Sequence, residues 1–145
     1  MRKIFLPEQF VQAHSDTPEI KAEFANKFVD FVLSGFPRSK FTKQFYVRLS
    51  MCFGMIAHYN IEGFYSEFFC APEDTVKFVE QCVEWGNGGS PSFTYSDVER
   101  SLQKWLKENH VLEAAWGKAY AAREKEERAT LARLKDKYEK GDLPV

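Results

Sequence analysis

Apolar residues recur along the chain at helical spacing, and breakers and capping signals divide them into separate helices. Thr17-Pro18-Glu19 joins an N-cap residue to a proline and an acid in the first turn. Ile20, Phe24, Phe28, Phe31 and Val32 then fall on one helical face, and Gly35 and Pro37 end the helix. A shorter amphipathic turn is expected before it, around Glu8–Ala13. Phe41, Phe45, Leu49, Cys52, Ile56 and Tyr59 keep the same period, so a second, central helix is predicted from Ser39 to about Tyr59, across Gly54. Phe64, Phe68 and Phe69 mark a short third helix. Ala71-Pro72-Glu73-Asp74 opens a fourth, carried by Val76, Phe78, Val79, Cys82, Val83 and Trp85.

Gly86-Asn87-Gly88-Gly89-Ser90-Pro91 is the strongest loop signal, too short for an interdomain linker. After it, Ser96-Asp97-Val98-Glu99 reads as a capping box, with Val98, Leu102, Trp105 and Leu106 as the buried face that follows. A last helix is predicted from His110 to near Lys140. Its apolar face comprises Val111, Leu112, Ala115, Trp116, Ala119 and Tyr120; the charged run at 123–128 interrupts it, and Leu131, Leu134 and Tyr138 resume it. A helix of that length spans about 45 Å at 1.5 Å per residue. A compact domain of this size is about 40 Å across. The expected architecture is therefore all-α: a single-domain bundle of five to six helices over residues 1–122, with a charged helix and tail at 123–145 protruding from it.

At 145 residues, 44% hydrophobic and 16% aromatic, the chain has enough apolar mass for one core without disulfide or metal staples. Most of its 14 Phe lie on helical stripes, so the aromatic excess is assigned to the core. The formal net charge of −1 argues against a strongly basic nucleic-acid binder and against a strongly acidic DNA mimic. Cys52, Cys70 and Cys82 are odd in number and lack Cys-x-x-Cys spacing, which suggests reduced thiols. The opening MRKIFLPEQF is too poor in apolar residues for a signal-peptide core, and no stretch has the length of a membrane span. A cytoplasmic protein making no membrane contact is expected.

The near-neutral total hides a dipolar arrangement. Arg38, Lys40, Lys43 and Arg48 lie in a segment without acids, whereas Glu62, Glu67, Glu73, Asp74, Glu80 and Glu84 face Lys77 alone. The acidic run can meet a basic surface on a partner protein. The basic segment is the alternative, a small nucleic-acid-binding site, although Phe41 and Phe45 between its cations suit a core stripe better than a base-stacking platform. His58 and Glu62, four apart, offer a general-base pair, but Asn60 and Gly63 place a helix end between them. The spread of histidines and cysteines supports neither a metal site nor a Cys–His nucleophile, and the glycine loop lacks the strand and the Gly-Lys-Ser/Thr of a phosphate loop. No catalytic residue, cofactor or metal is expected.

Two runs, Gly54-Met55-Ile56-Ala57-His58-Tyr59-Asn60-Ile61-Glu62-Gly63-Phe64 and Phe93-Thr94-Tyr95-Ser96-Asp97-Val98-Glu99-Arg100, resemble small uncharacterised proteins of phages, plasmids and integrative elements. The likeness extends over roughly residues 40–106. It implies a mobile-element origin but brings no activity with it; small accessory proteins of that setting often bind and block host machines, including CRISPR-type nucleases. The expected function is thus a non-enzymatic interaction module that inhibits a host defence or nucleic-acid-processing complex by occluding a surface. Its partner would be a host protein or ribonucleoprotein. Contacts are expected from Glu62, Glu67, Glu73, Asp74, Glu80 and Glu84, from Asn87 in the loop, and from Leu131, Leu134 and Tyr138, which also offer a homodimer seam.

Overall fold

The computed structural model describes residues 3–14, 16–54, 60–84, 86 and 89–139. They form six α-helices: α1 Pro18–Leu33, α2 Lys43–Phe53, α3 Ile61–Phe69, α4 Pro72–Glu84, α5 Ser96–Glu108 and α6 Val111–Glu139. The all-α bundle expected from the periodicity is present, and the long C-terminal helix with it. None of these helices is long and apolar enough to cross a membrane.

The signals at the start of α1 act as read: the Thr17 hydroxyl accepts from the Ile20 N–H at 3.2 Å, with Pro18 in the first turn. Helix α2 departs from expectation at both ends. Arg38–Lys40 form a separate 3-10 turn, and Thr42 caps α2 by accepting from Phe45 N–H. Gly54 then takes a left-handed conformation (φ 63°) and closes the helix. A left-handed glycine at this position ends the hydrogen-bond ladder of the helix, and Ile56 and Tyr59, over which the apolar period runs on, lie outside the described residues. Asn60 caps α3 through the Gly63 N–H. The turn expected around Glu8–Ala13 is a 3-10 turn at Pro7–Gln9.

Phenylalanine builds the core. All are buried except Phe36 and Phe69, which pack half-buried against it, and Phe93, which is exposed. The Phe31 ring alone meets those of Phe36, Phe41, Phe45 and Phe69 at centroid distances of 5.1–5.6 Å, in tilted and edge-on arrangements. Such geometries add about 0.5–1.5 kcal/mol per pair beyond the area buried. Helices α1 to α5 all contribute to this cluster.

A polar network locks the N-terminal arm and the segment before α5 onto it. Lys21, 0% exposed, lies in α1 and donates to the Pro91 and Thr94 carbonyls at 2.9 and 3.0 Å and to Asp97 at 3.0 Å. A buried ammonium is tolerated only when paired and hydrogen-bonded like this. Asp97 also accepts from the Val11 N–H, and the Tyr95 hydroxyl donates to Asp16 at 2.6 Å. The Asn26 side chain holds the arm before α1 by accepting from the N–H groups of Ile4 and Phe5 and donating to the Phe5 carbonyl.

This network corrects the capping box proposed at Ser96–Glu99. The Ser96 hydroxyl donates instead to the Gly89 carbonyl, the Thr94 hydroxyl accepts from Ser96 N–H, and Glu99 is buried. A four-residue pattern cannot register that Lys21, far off in sequence, needs the carbonyls just ahead of it.

Candidate interaction surface

Helix α6 lies along α4 in the most extensive helix–helix contact of the fold, and the residues that α6 buries are Ala115 and Ala119. Two alanines four apart let the helix axes approach closely. The same rotation turns the large neighbours outward: Trp116 is half exposed and Tyr120 is 69% exposed. Helical period alone assigns both to the buried face with Val111 and Leu112, and the structure corrects this. Only Val111 and Leu112 of the large residues pack, partly buried, against the core. The spacing Ala115-x-x-x-Ala119 was the signal for this rotation, because small residues mark the side of closest approach.

At 100° per residue, Trp116, Tyr120, Leu131, Leu134 and Tyr138 all project within about 60° of one another. They form one stripe along α6, with Glu127 between its upper and lower halves. All five are exposed, Leu131 at 65%. Arg123 and Glu73 form an ion pair at 2.8 Å that ties α6 to the start of α4. Beyond it, residues 125–139 are exposed on every side of the helix. That segment is about 22 Å long. Arg128, paired with Glu124 at 2.6 Å, and Lys135 flank the stripe on one side and Lys137 on the other, the Lys137 ammonium sitting 5.2 Å from the Tyr138 ring centre.

The acidic and basic segments, distinct in sequence, are interlocked in space. Arg38 and Glu62 form an ion pair, and the guanidinium hydrogen bond holds the Glu62 carboxyl below the usual carboxylate range. Lys40 bonds to Asp30 at 2.7 Å and to the Ser34 hydroxyl at 2.8 Å. Arg48, partly buried, has an amino group 3.9 Å from Asp16. Among the described residues Lys43 alone of the four candidate nucleic-acid-binding cations has no ion pair. On the acidic side, Glu73 is held by Arg123 and Asp74 lies 3.8 Å from Lys77. Among the described residues Glu67 and Glu84 are exposed and have no ion pair, and Glu80 is partly covered. The structure therefore does not gather the six acids into one free face.

Asn87 and His58 lie outside the described residues. Glu62 belongs to the first turn of α3, which Asn60 caps. Cys52 and Cys82 are fully buried, and burial pushes both thiols well above their ordinary value, which leaves them inert as nucleophiles. Cys70 is exposed. Among the described residues no group of three or more His, Cys, Asp or Glu side chains converges to hold a metal ion.

The run Phe93–Arg100, one of the two that carry the resemblance to mobile-element proteins, contributes Thr94, Tyr95, Ser96 and Asp97 to the network around Lys21. No protein-family model, no curated protein and no solved structure matches the chain.

Proposed function

We propose that the protein is a non-enzymatic interaction module that acts by laying the exposed stripe of α6 against a partner protein and occluding that partner's surface. The observation that carries the reading is the run of Trp116, Tyr120, Leu131, Leu134 and Tyr138, large apolar side chains held in water on one face of one helix. Aromatic anchors of this type dominate binding energy where they become buried. The flanking Lys135 and Lys137 favour a partner that sets carboxylates beside the distal half of the stripe, Arg128 being already paired with Glu124.

The likeness to proteins of phages, plasmids and integrative elements supports a host defence or nucleic-acid-processing complex as the class of target. Inhibition by occlusion asks for no catalytic group. Direct nucleic-acid binding through the basic segment is disfavoured, since three of its four cations are already engaged by carboxylates.

The test compares the full chain with a triple variant, Trp116→Ser, Leu131→Ser and Tyr138→Ser, as bait for host-cell complexes, with both baits verified as folded. A complex retained by the native stripe and lost with the variant is the expected result. Identical captures, or none with the folded native chain, would overturn the reading. Sedimentation of both forms at increasing concentration separates the remaining occupant: a dimer that the triple variant dissolves would reassign the stripe to self-association.

A further inference from the structure

A cleft of about 530 Å³ opens where the end of α1, the α3–α4 junction and the first turns of α6 meet. This is within the range of small-molecule sites. Its walls are apolar, including Val32, Phe36, Phe69, Val111 and Ala115, and Leu33 stands exposed at the rim. Its polar groups mostly turn inward. The Thr75 hydroxyl is within hydrogen-bond distance of the Phe68 and Ala71 carbonyls, and the Asn109 amide donates to the Trp105 carbonyl at 2.9 Å.

The charge lining the cleft has one sign. No acid lines it, and the one charged lining residue is Lys118, exposed on α6 and without an ion pair among the described residues. The acids adjacent in sequence to its lining residues, Glu73, Asp74, Glu108 and Glu113, lie 2.8–4.0 Å from Arg123, Lys77, Lys104 and His110 respectively. A ligand suited to this site has an apolar body to displace water from the walls and a single anionic end to reach Lys118. We propose that the cleft binds a small amphipathic monocarboxylate, of the kind represented by a medium-chain fatty acid. The site is separate from the stripe of α6, so its occupancy neither requires nor excludes the partner proposed above.

The protein carries its own reporter for this binding. Cys70 lines the cleft and is exposed, whereas Cys52 and Cys82 are buried, so a thiol reagent modifies Cys70 first in the folded protein. Decanoate, kept below its micellar concentration, is expected to slow that modification saturably. Decanol and decylammonium are expected to protect at least several-fold less well. Lys118→Glu should weaken protection by decanoate about tenfold, since it removes one exposed ion pair and adds a repulsion. Ala114→Trp, an exposed helical position on the cleft wall, should abolish protection by filling the space while leaving Lys118 in place. Absence of protection by decanoate at millimolar concentration would overturn the proposal. So would protection that decanol matches, or that survives Lys118→Glu unchanged, because the anion would then not be recognised.

Discussion

Three buried groups set how this fold responds to alkali. The Cys52 and Cys82 thiols lie well above their ordinary value near 9 because burial penalises the thiolate, and burial together with the Asp16 hydrogen bond raises the Tyr95 phenol. A group whose folded pKa is raised stabilises the fold fully below its unfolded pKa and loses that contribution as pH rises past it. Stability should therefore be level near neutrality and fall above about pH 9. The slope would approach about 1.4 kcal/mol per pH unit for each thiol, with Tyr95 joining above about pH 10. Urea unfolding under reducing conditions between about pH 7 and pH 10 reads this directly. The Cys52→Ala, Cys82→Ala double variant starts from lower stability but should have a flatter alkaline limb; an unchanged limb would show that the thiols are not the cause.

Within the helices and their junctions, glycine has opposite meanings at different places. Gly89 has a φ of 86°, and a β-carbon there would come within 2.9 Å of the Thr94 side chain, whose hydroxyl helps start α5. Gly89→Ala is expected to cost about 1–2 kcal/mol through backbone strain and that contact. Gly117 lies inside α6 on the exposed side, with nothing within 4 Å of the β-carbon it lacks. Gly117→Ala is expected to stabilise by about 0.5–1 kcal/mol, since it lowers the entropy lost by an exposed helix interior. Thermal unfolding of the two variants should thus move in opposite directions. Movement in the same direction would mean that one of the two positions is misread.

For the molecule as a whole, α6 is part scaffold and part extension. Its first turns carry Ala115 and Ala119 against the body, and Arg123 still reaches Glu73, but residues 125–139 bury nothing. A chain ended after Glu124 is expected to unfold within about 0.5 kcal/mol of the full-length protein, because surface groups outside the core contribute little. A larger loss would place part of the core beyond Arg123. The same truncation removes Leu131, Leu134 and Tyr138, so partner binding through the stripe should drop sharply while the Lys118 cleft keeps its ligand. The two surfaces are thereby separable in one variant.

Local signals were enough for much of this. Helical period, Thr17 before Pro18 and the breakers Gly35 and Pro37 each depend on a few neighbouring residues, and they determined the helix order, the phenylalanine core and the length of α6. Where the outcome depended on which distant groups come together, the linear pattern ran out. Gly54 could continue or close a helix until its backbone angles were known. Trp116 and Tyr120 share an apolar pattern with residues that pack, and the rotation that brought Ala115 and Ala119 against α4 put them in water. The basic and acidic segments were legible as charges, yet the pairing of Arg38 with Glu62 and of Arg123 with Glu73 decided how few of those charges remain free. Periodicity is a property of neighbours along a helix and is written in the sequence. The facing of a side chain and the neutralisation of a charge are properties of packing, and only the tertiary structure decided them.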